Sequence, residues 1–255
     1  MSRTIVITGS GSGIGQATAT RLAAKGHRII GVDIKGADIN ADLSTPEGRA
    51  AMIDQVKALA PDGIDGVLTS AGIADFDNPD RALAVNYFGT IATLEGLHPQ
   101  MRPGARGVTV ASAALLVDQD DVKELEDLCL TGNEEAAKAM ARERGFLCAY
   151  PAAKRALTRW TRNTTIRPEW AGANILLNTV APGLIETPMI AQALANPAQE
   201  PTIRAKSPIA VQNYAKAQDV AELMDFLLTY ETGYLLGQII FIDGGTDVIT
   251  RPDHL

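Results

Sequence analysis

The chain alternates short runs of branched apolar residues with longer amphipathic stretches. Residues 3–8 form a β-rich run and 9–15 a loop. A helical pattern follows over 14–25, with Ala17, Leu22 and Ala23 on one side, and stops at Gly26, a natural helix terminator. Residues 27–32 read as a second strand closing on Asp33. Thr45-Pro46-Glu47 starts a helix, with Thr45 as N-cap and Pro46 in the first helical position, running to about Ala60. A third strand is predicted over 66–69, one long helix over 79–100 and a fourth strand over 107–111. From Tyr150 the rhythm resumes: a helix to about Trp170, a strand over 175–180, a helix over 219–230 and a strand over 238–242.

Strands that alternate with helices imply βαβ units and a parallel sheet. The strand runs (Ile-Val-Ile, Ile-Ile-Gly-Val, Val-Thr-Val) are apolar throughout, as expected when helices cover both sheet faces. The expectation is an α/β, Rossmann-type doubly wound sheet of about seven strands. With no repeat or linker in view, residues 1–255 read as one domain. Two segments break the rhythm. Residues 118–145 are charged and helical in propensity, an insertion ahead of Tyr150. Residues 184–212 form a long Pro/Ala-rich connection, and such connections commonly act as lids.

Composition narrows the function classes. The chain has 255 residues, 46% of them hydrophobic, and a formal charge of −7 without any run of lysines or arginines. That balance points away from nucleic acid and anionic membrane surfaces and towards small molecules. No apolar run approaches the roughly 18 residues of a membrane span, and no signal-peptide pattern opens the sequence, so a cytoplasmic protein is expected. Cys129 and Cys148 do not make a disulfide framework, and Cys148 reads as a structural rather than a reactive thiol. His27, His98 and His254 lack ligand spacing, so no metal is expected.

Thr8-Gly9-Ser10-Gly11-Ser12-Gly13-Ile14-Gly15 lies between a predicted strand and a predicted helix. Glycines there permit a tight turn and close approach of backbone to a pyrophosphate, and the helix N-terminus offers unpaired N–H groups to phosphates. Asp33, at the end of the second strand, suits the ribose hydroxyls of an adenosine and repels a 2′-phosphate. NAD is therefore expected over NADP. Tyr150 and Lys154 stand one helical turn apart on one face. A nearby cation favours phenolate, which would make the tyrosine a proton shuttle, although such a pair alone also fits a solvated helix face. Ser112 follows the fourth strand at the carboxyl edge, where its hydroxyl reaches a substrate oxygen or caps the strand. In the lid, Met189, Ile190, Leu194 and Ile209 suit a pocket for a hydrophobic alcohol, with Met189 the residue assigned to substrate.

As an ordered set, Thr8-Gly9-x-x-x-Gly13-x-Gly15, Asp33, Asp42-Leu43, Ser70-Ala71-Gly72, Asn86 within Val-Asn-Tyr-Phe-Gly, Ser112, Tyr150-x-x-x-Lys154, Pro182-Gly183 with Thr187, and Ile242-Asp243-Gly244-Gly245 resemble the short-chain dehydrogenase/reductase family. The resemblance covers almost the whole chain. Within the family the insertion and the tail are most similar to bacterial 3α-hydroxysteroid dehydrogenase/carbonyl reductases. It implies that Tyr150 is the general acid/base, that Ser112 orients the substrate oxygen, and that Lys154 binds the nicotinamide ribose and lowers the tyrosine pKa. Asn86 would support a water-linked relay to Lys154. Gly9, Ser12, Gly13, Ile14, Gly15, Asp33, Asp42, Leu43, Ala71, Gly72, Tyr150, Lys154, Pro182, Gly183 and Thr187 would hold NAD, with Asp42 on the adenine and Thr187 on the carboxamide. Two departures stand out: Ser70 replaces the family's usual Asn, and the interval from Ser112 to Tyr150 is far longer than is usual.

The implied activity is NAD(H)-dependent interconversion of a secondary alcohol and a ketone, on an apolar ring substrate such as a 3-hydroxysteroid. The alternatives are a small cyclic, aryl or sugar alcohol with the same chemistry, and a non-catalytic NAD-binding regulator. A homo-oligomer is expected, a dimer built through residues 219–242 in preference to a tetramer, because the insertion is placed to cover the surface of the Tyr/Lys helix.

Overall fold

The computed structural model describes residues 2–116, 118–198 and 200–253; His254 lies outside them. Seven strands form one parallel sheet: β1 (Thr4–Thr8), β2 (Arg28–Asp33), β3 (Ile39–Asn40), β4 (Ile64–Thr69), β5 (Met101–Val110), β6 (Leu176–Pro182) and, after a separate two-stranded ribbon of β7 (Ile185–Glu186) with β8 (Ala215–Lys216), β9 (Ile239–Ile242). The order across the sheet is β3-β2-β1-β4-β5-β6-β9. Among the described residues eleven α-helical segments surround it: α1 (Gly13–Ala24), α2 (Pro46–Leu59), α3 (Pro79–Leu83), α4 (Thr90–Leu97), α5 (Gln119–Leu130), α6 (Glu134–Arg144), α7 (Phe146–Thr165), α8 (Pro188–Leu194), α9 (Glu200–Ala205), α10 (Ala217–Thr229) and α11 (Thr246–Thr250).

The doubly wound architecture follows from the apolar strands. Successive side chains of β1 point to opposite faces. Ile5 and Ile7 pack with Leu22 of α1 and with Val220 and Met224 of α10. Val6 packs on the other side with Met52 and Val56 of α2 and Leu94 of α4. Thr45 caps α2 as expected, its hydroxyl accepting the Gly48 N–H at 3.1 Å. Among the described residues, no helix is long and apolar enough to cross a membrane.

Three local expectations need correction. The helix expected over 79–100 is interrupted by a π-helical turn, Ala84–Gly89, and ends in a 3₁₀ turn, His98–Gln100. The extra residue of the π turn accompanies the side chain of Asn86, which is clamped to the Ile73 backbone, and such turns recur at functional sites. The helix of Tyr150 begins earlier, at Phe146, directly after Gly145 in a positive-φ conformation (79°). The connection over 184–212 is not structureless: it carries α8 and α9. Thr187 accepts the Ile190 N–H at 3.5 Å just ahead of Pro188, and Glu200 pairs with Arg204 one turn on.

The insertion is a helical hairpin, each helix opened by an Asx cap (Asp118 on Asp120, Asn133 on Ala136). It lies on α7. Val122, Leu125 and Cys129 of α5 and Ala137 and Ala141 of α6 are buried against Ala149, Ala152, Ala153, Ala156 and Leu157. Small alanine side chains let the helices approach closely. Polar clamps fix the hairpin: the buried Glu126 carboxylate receives Arg155 at 2.7 Å and Arg159 at 2.9 Å. Because the Glu126 carboxylate is fully buried, losing both arginines would strand an uncompensated charge there.

Candidate active site

Strand order reverses beside β1, with β2 on one flank and β4 on the other, which opens a crevice at the carboxyl ends of the strands. A cleft of about 760 Å³ occupies it. Of the catalytic and cofactor-binding residues expected from the sequence, all but Gly15 line this cleft. Gly15 lies behind the loop, where a Cβ would fall 2.1 Å from the Gly9 carbonyl oxygen, so its part is to let α1 pack against the turn.

The loop has the shape a dinucleotide pyrophosphate requires. Gly9 (φ 71°) crosses so close to Ala71 that a Cβ would sit 2.7 Å from its backbone nitrogen. Gly13 (φ 53°) faces Thr187 across the cleft. Ser12 stands at the N-cap of α1 without a side-chain capping bond, which leaves the first N–H groups of the helix open to an anion. Asp33 shapes the loop, its carboxylate accepting the N–H groups of Gly11 at 2.8 Å and Ile34 at 2.7 Å. At the far end, Asp42 accepts the Ser44 N–H at 2.9 Å and the Ser44 hydroxyl at 2.6 Å. Burial opposes its charge, but the Ser44 bonds and the nearby Arg81 and Arg49 outweigh burial and hold its pKa below the usual carboxylate value. These donors, the acidic groups and the cradle of glycines fit a nicotinamide adenine dinucleotide.

Ser70, in place of the family's usual Asn, also lines the cleft. The backbone beside it is held by other side chains: Thr8 Oγ1 accepts the Ala71 N–H at 3.1 Å, and Asn86 both accepts from and donates to the Ile73 backbone at 3.0 Å. The Asn86 carbonyl accepts Thr90 Oγ1 at 3.2 Å. Among the described residues no direct hydrogen bond joins Asn86 to Lys154.

Tyr150, Ser112 and Lys154 come together on the cleft floor. The Ser112 hydroxyl hydrogen-bonds the Tyr150 phenol and also accepts the Ala114 N–H at 3.1 Å. Lys154 is buried, donates to the Val110 carbonyl at 2.8 Å and sits 5.6 Å from the centre of the Tyr150 ring. Burial pulls its pKa down to about 8. The expected depression of the tyrosine pKa is not found in this arrangement. Burial raises it above the ordinary value, the Ser112 bond offsetting part of the rise, while the ammonium is engaged by Val110. The geometry therefore presents a neutral phenol beside a hydroxyl and a readily deprotonated amine. That trio can pass a proton to or from an oxygen placed against it.

The cleft walls hold residues that sequence reasoning missed. Phe146, one turn before Tyr150, lies 5.3 Å from the tyrosine ring and 4.1 Å from Phe76, centre to centre, and Leu147 lines the mouth. The signal was present: Phe146 is spaced i, i+4 from Tyr150 on the same helix. Met189 and Ile190 line the cleft as expected, but Leu194 and Ile209 do not. Leu194 borders a separate depression with Ile185 and Tyr214, and Ile209 packs over the Gly244 turn. From residues 184–212, Ile203, Lys206 and Pro208 reach the cleft instead.

The remaining chemical candidates are placed elsewhere. Cys129 is buried, its thiol pushed up to about 12 by desolvation, and Cys148 is half-buried on α7. His27 accepts the Arg3 N–H and His98 bonds the Glu169 carbonyl; among the described residues no three His, Cys, Asp or Glu gather as metal ligands.

Comparison with known proteins adds to this geometry. A family model described as short chain dehydrogenase matches residues 3–120, and one described as enoyl-(acyl carrier protein) reductase matches residues 135–247. The 3-alpha-hydroxysteroid dehydrogenase/carbonyl reductase of Comamonas testosteroni is 36% identical over 97% of this chain and 98% of its own. The coniferyl-alcohol dehydrogenase of a Pseudomonas species is 30% identical over 96% of each. The crystal structure of the 3-alpha-hydroxysteroid dehydrogenase from Pseudomonas sp. B-0831, complexed with NADH, superposes with a TM-score of 0.93 at 34% identity, covering 99% of this chain and 100% of that one. With a glycine-rich loop, a Ser/Tyr/Lys cluster and a parallel sheet arranged around one cleft, and relatives matched from end to end, the chain belongs to the short-chain dehydrogenase/reductase family of oxidoreductases.

Proposed function

We propose that this enzyme interconverts a secondary alcohol and a ketone with NAD(H), on an apolar ring substrate of the 3-hydroxysteroid/3-ketosteroid kind. The observation that carries the reading is the Ser112–Tyr150–Lys154 cluster at the floor of a cleft whose other end is a dinucleotide loop guarded by Asp33. In oxidation Tyr150 first gives its own proton to the Lys154 amine or to solvent; the phenolate, stabilised by the Lys154 ammonium, then takes the hydroxyl proton of the substrate while Ser112 holds that oxygen in line. In reduction the neutral phenol donates. The bound nicotinamide supplies hydride acceptance or donation at the substrate carbon. Asn86 acts by fixing the Ile73 backbone and the π turn, and supports the relay to Lys154 through them.

The aromatic wall of Phe146 and Phe76, with Leu147, Met189 and Ile190, supports a flat apolar substrate, as does the likeness to hydroxysteroid dehydrogenases. The coniferyl-alcohol relative keeps an aryl alcohol as a second reading. Asp33 supports NAD, because a 2′-phosphate would meet a carboxylate already facing the loop. A spectrophotometric screen of steroid, cyclic, aryl and sugar alcohols, run with NAD and NADP side by side, is expected to give the highest kcat/KM for a 3-hydroxysteroid with NAD. Turnover confined to sugar alcohols, or a preference for NADP, would sink the reading.

The same reading takes the enzyme as a dimer. Phe226 of α10 is exposed and stacks on Tyr230 just beyond the helix, Tyr234 is 94% exposed, and among the described residues β9 pairs on one side only, with β6. The hairpin meanwhile covers α7. Light scattering is expected to return twice the 27.0 kDa chain mass. A tetramer would count against assembly through α10 and β9 alone.

A further inference from the structure

Arg49 is a buried cation on α2 that no part of the proposed chemistry uses. Its guanidinium ties three separate segments together. Nε donates to the Leu43 carbonyl at 2.7 Å, and Nη2 to the Ser44 carbonyl at 3.3 Å, within the segment of the cleft that carries Asp42. Nη2 also donates to the Ala84 carbonyl at 3.1 Å, at the start of the π turn that holds Asn86. The fork closes on Glu134, the first residue of α6 in the insertion, at 2.6 and 2.8 Å. Both side chains are largely withdrawn from solvent, 7% and 19% exposed.

This arrangement differs from the other ion pairs that fasten the hairpin. Arg144–Glu124 is exposed, and Glu126 binds α7. Arg142–Asp80 ties α6 to α3, and Arg155, on Glu126, also reaches the Leu115 carbonyl beside Ser112; the Glu134 pair continues, through one guanidinium, into the segment that carries Asp42. A planar guanidinium presents its donors in a fixed fork, so the carboxylate that anchors one edge sets the direction of the others. With the anchor gone, a buried charge is left without its counter-ion and has every reason to turn towards water. The Leu43 and Ser44 carbonyls would lose their fixed donor. Leu43 has little slack of its own: a Cβ on Gly89 would stand 2.9 Å from its carbonyl oxygen, so π turn and cleft segment are in close contact.

We propose that Glu134 is a positioning residue for dinucleotide binding: through Arg49 the insertion fixes the Asp42–Ser44 segment and so sets affinity for the adenosine half of the cofactor. The proposal rests on the reading that the cleft takes a nicotinamide adenine dinucleotide. It gives the insertion a part in the site at the end opposite to Tyr150.

The test uses the intact protein and titrates ADP-ribose by calorimetry and NADH by fluorescence, with unliganded melting temperature measured alongside. Glu134→Gln and Glu134→Ala are expected to weaken ADP-ribose and NADH by about tenfold, the alanine change more than the glutamine. Glu126→Gln loosens the same hairpin from α7 and is expected to lower the melting temperature with ADP-ribose affinity unchanged. Glu124→Gln is expected to alter neither. ADP-ribose affinity unchanged in both Glu134 variants overturns the proposal, whatever their melting temperatures. So does an equal weakening in Glu126→Gln, which would mean that any loosening of the hairpin suffices. Failure of the unaltered protein to bind ADP-ribose would instead remove the dinucleotide reading itself.

Discussion

Changing Tyr150 to Phe is expected to lower turnover by about three orders of magnitude while the dissociation constant for NADH stays within about twofold. The substitution removes one oxygen and leaves the ring, which packs at 5.3 Å from Phe146 and beneath the Lys154 ammonium. The wall of the cleft is therefore kept. What disappears is the phenol that Ser112 contacts, the group proposed to give and take the substrate proton directly. An effect confined to KM would mean that the phenol only binds substrate. Turnover within tenfold of the unaltered enzyme would remove Tyr150 from the proton path.

Lys154→Met is expected to abolish turnover and yet raise stability near neutral pH. The folded protein holds this lysine with a pKa of about 8, below its ordinary 10.5, because burial disfavours the ammonium. Between those values the unfolded chain binds a proton that the folded chain does not, so stability rises with pH across that window, and below pH 8 the penalty is present in full. A depression of this size corresponds to about 3 kcal/mol, from which the lost hydrogen bond to Val110 takes back about 1 kcal/mol. Methionine removes the charge and keeps most of the volume. The variant is expected to melt about 5 °C higher at pH 7, with the advantage shrinking towards pH 10. A lower melting temperature at pH 7, or an advantage that grows with pH, would refute the account. The buried amine is then a group that folding alone would discard.

Most of the sheet was legible because its strands are apolar on both faces, a pattern with few other uses. The strand at Ile39–Asn40 was not, since two residues leave no periodicity to read. Thr45-Pro46 marks the start of α2, and the same pair at Thr187-Pro188 starts α8, where the surrounding Pro/Ala-rich stretch masks the signal. The π turn had no signal, because Val85, Asn86 and Tyr87 satisfy the ordinary helical pattern equally well. The site residues were legible as types at fixed intervals in the chain. Their electrostatics were not: the sequence places a cation near Tyr150, but only the fold shows that cation turned to the Val110 carbonyl. Arg49–Glu134 lay further out of reach, since its partners are distant in the chain and neither belongs to a motif.

The hairpin seated on α7 has a consequence for assembly in time as well as in space. An apolar helix face that required a second chain would be completed at a rate set by protein concentration. Here Leu125, Cys129, Ala137 and Ala141 come from the same polypeptide and arrive next to the helix they cover. Completion of the Tyr150 helix is then a first-order event, as fast in a dilute solution as in a crowded one. Association through another face can follow later without the active site waiting for it.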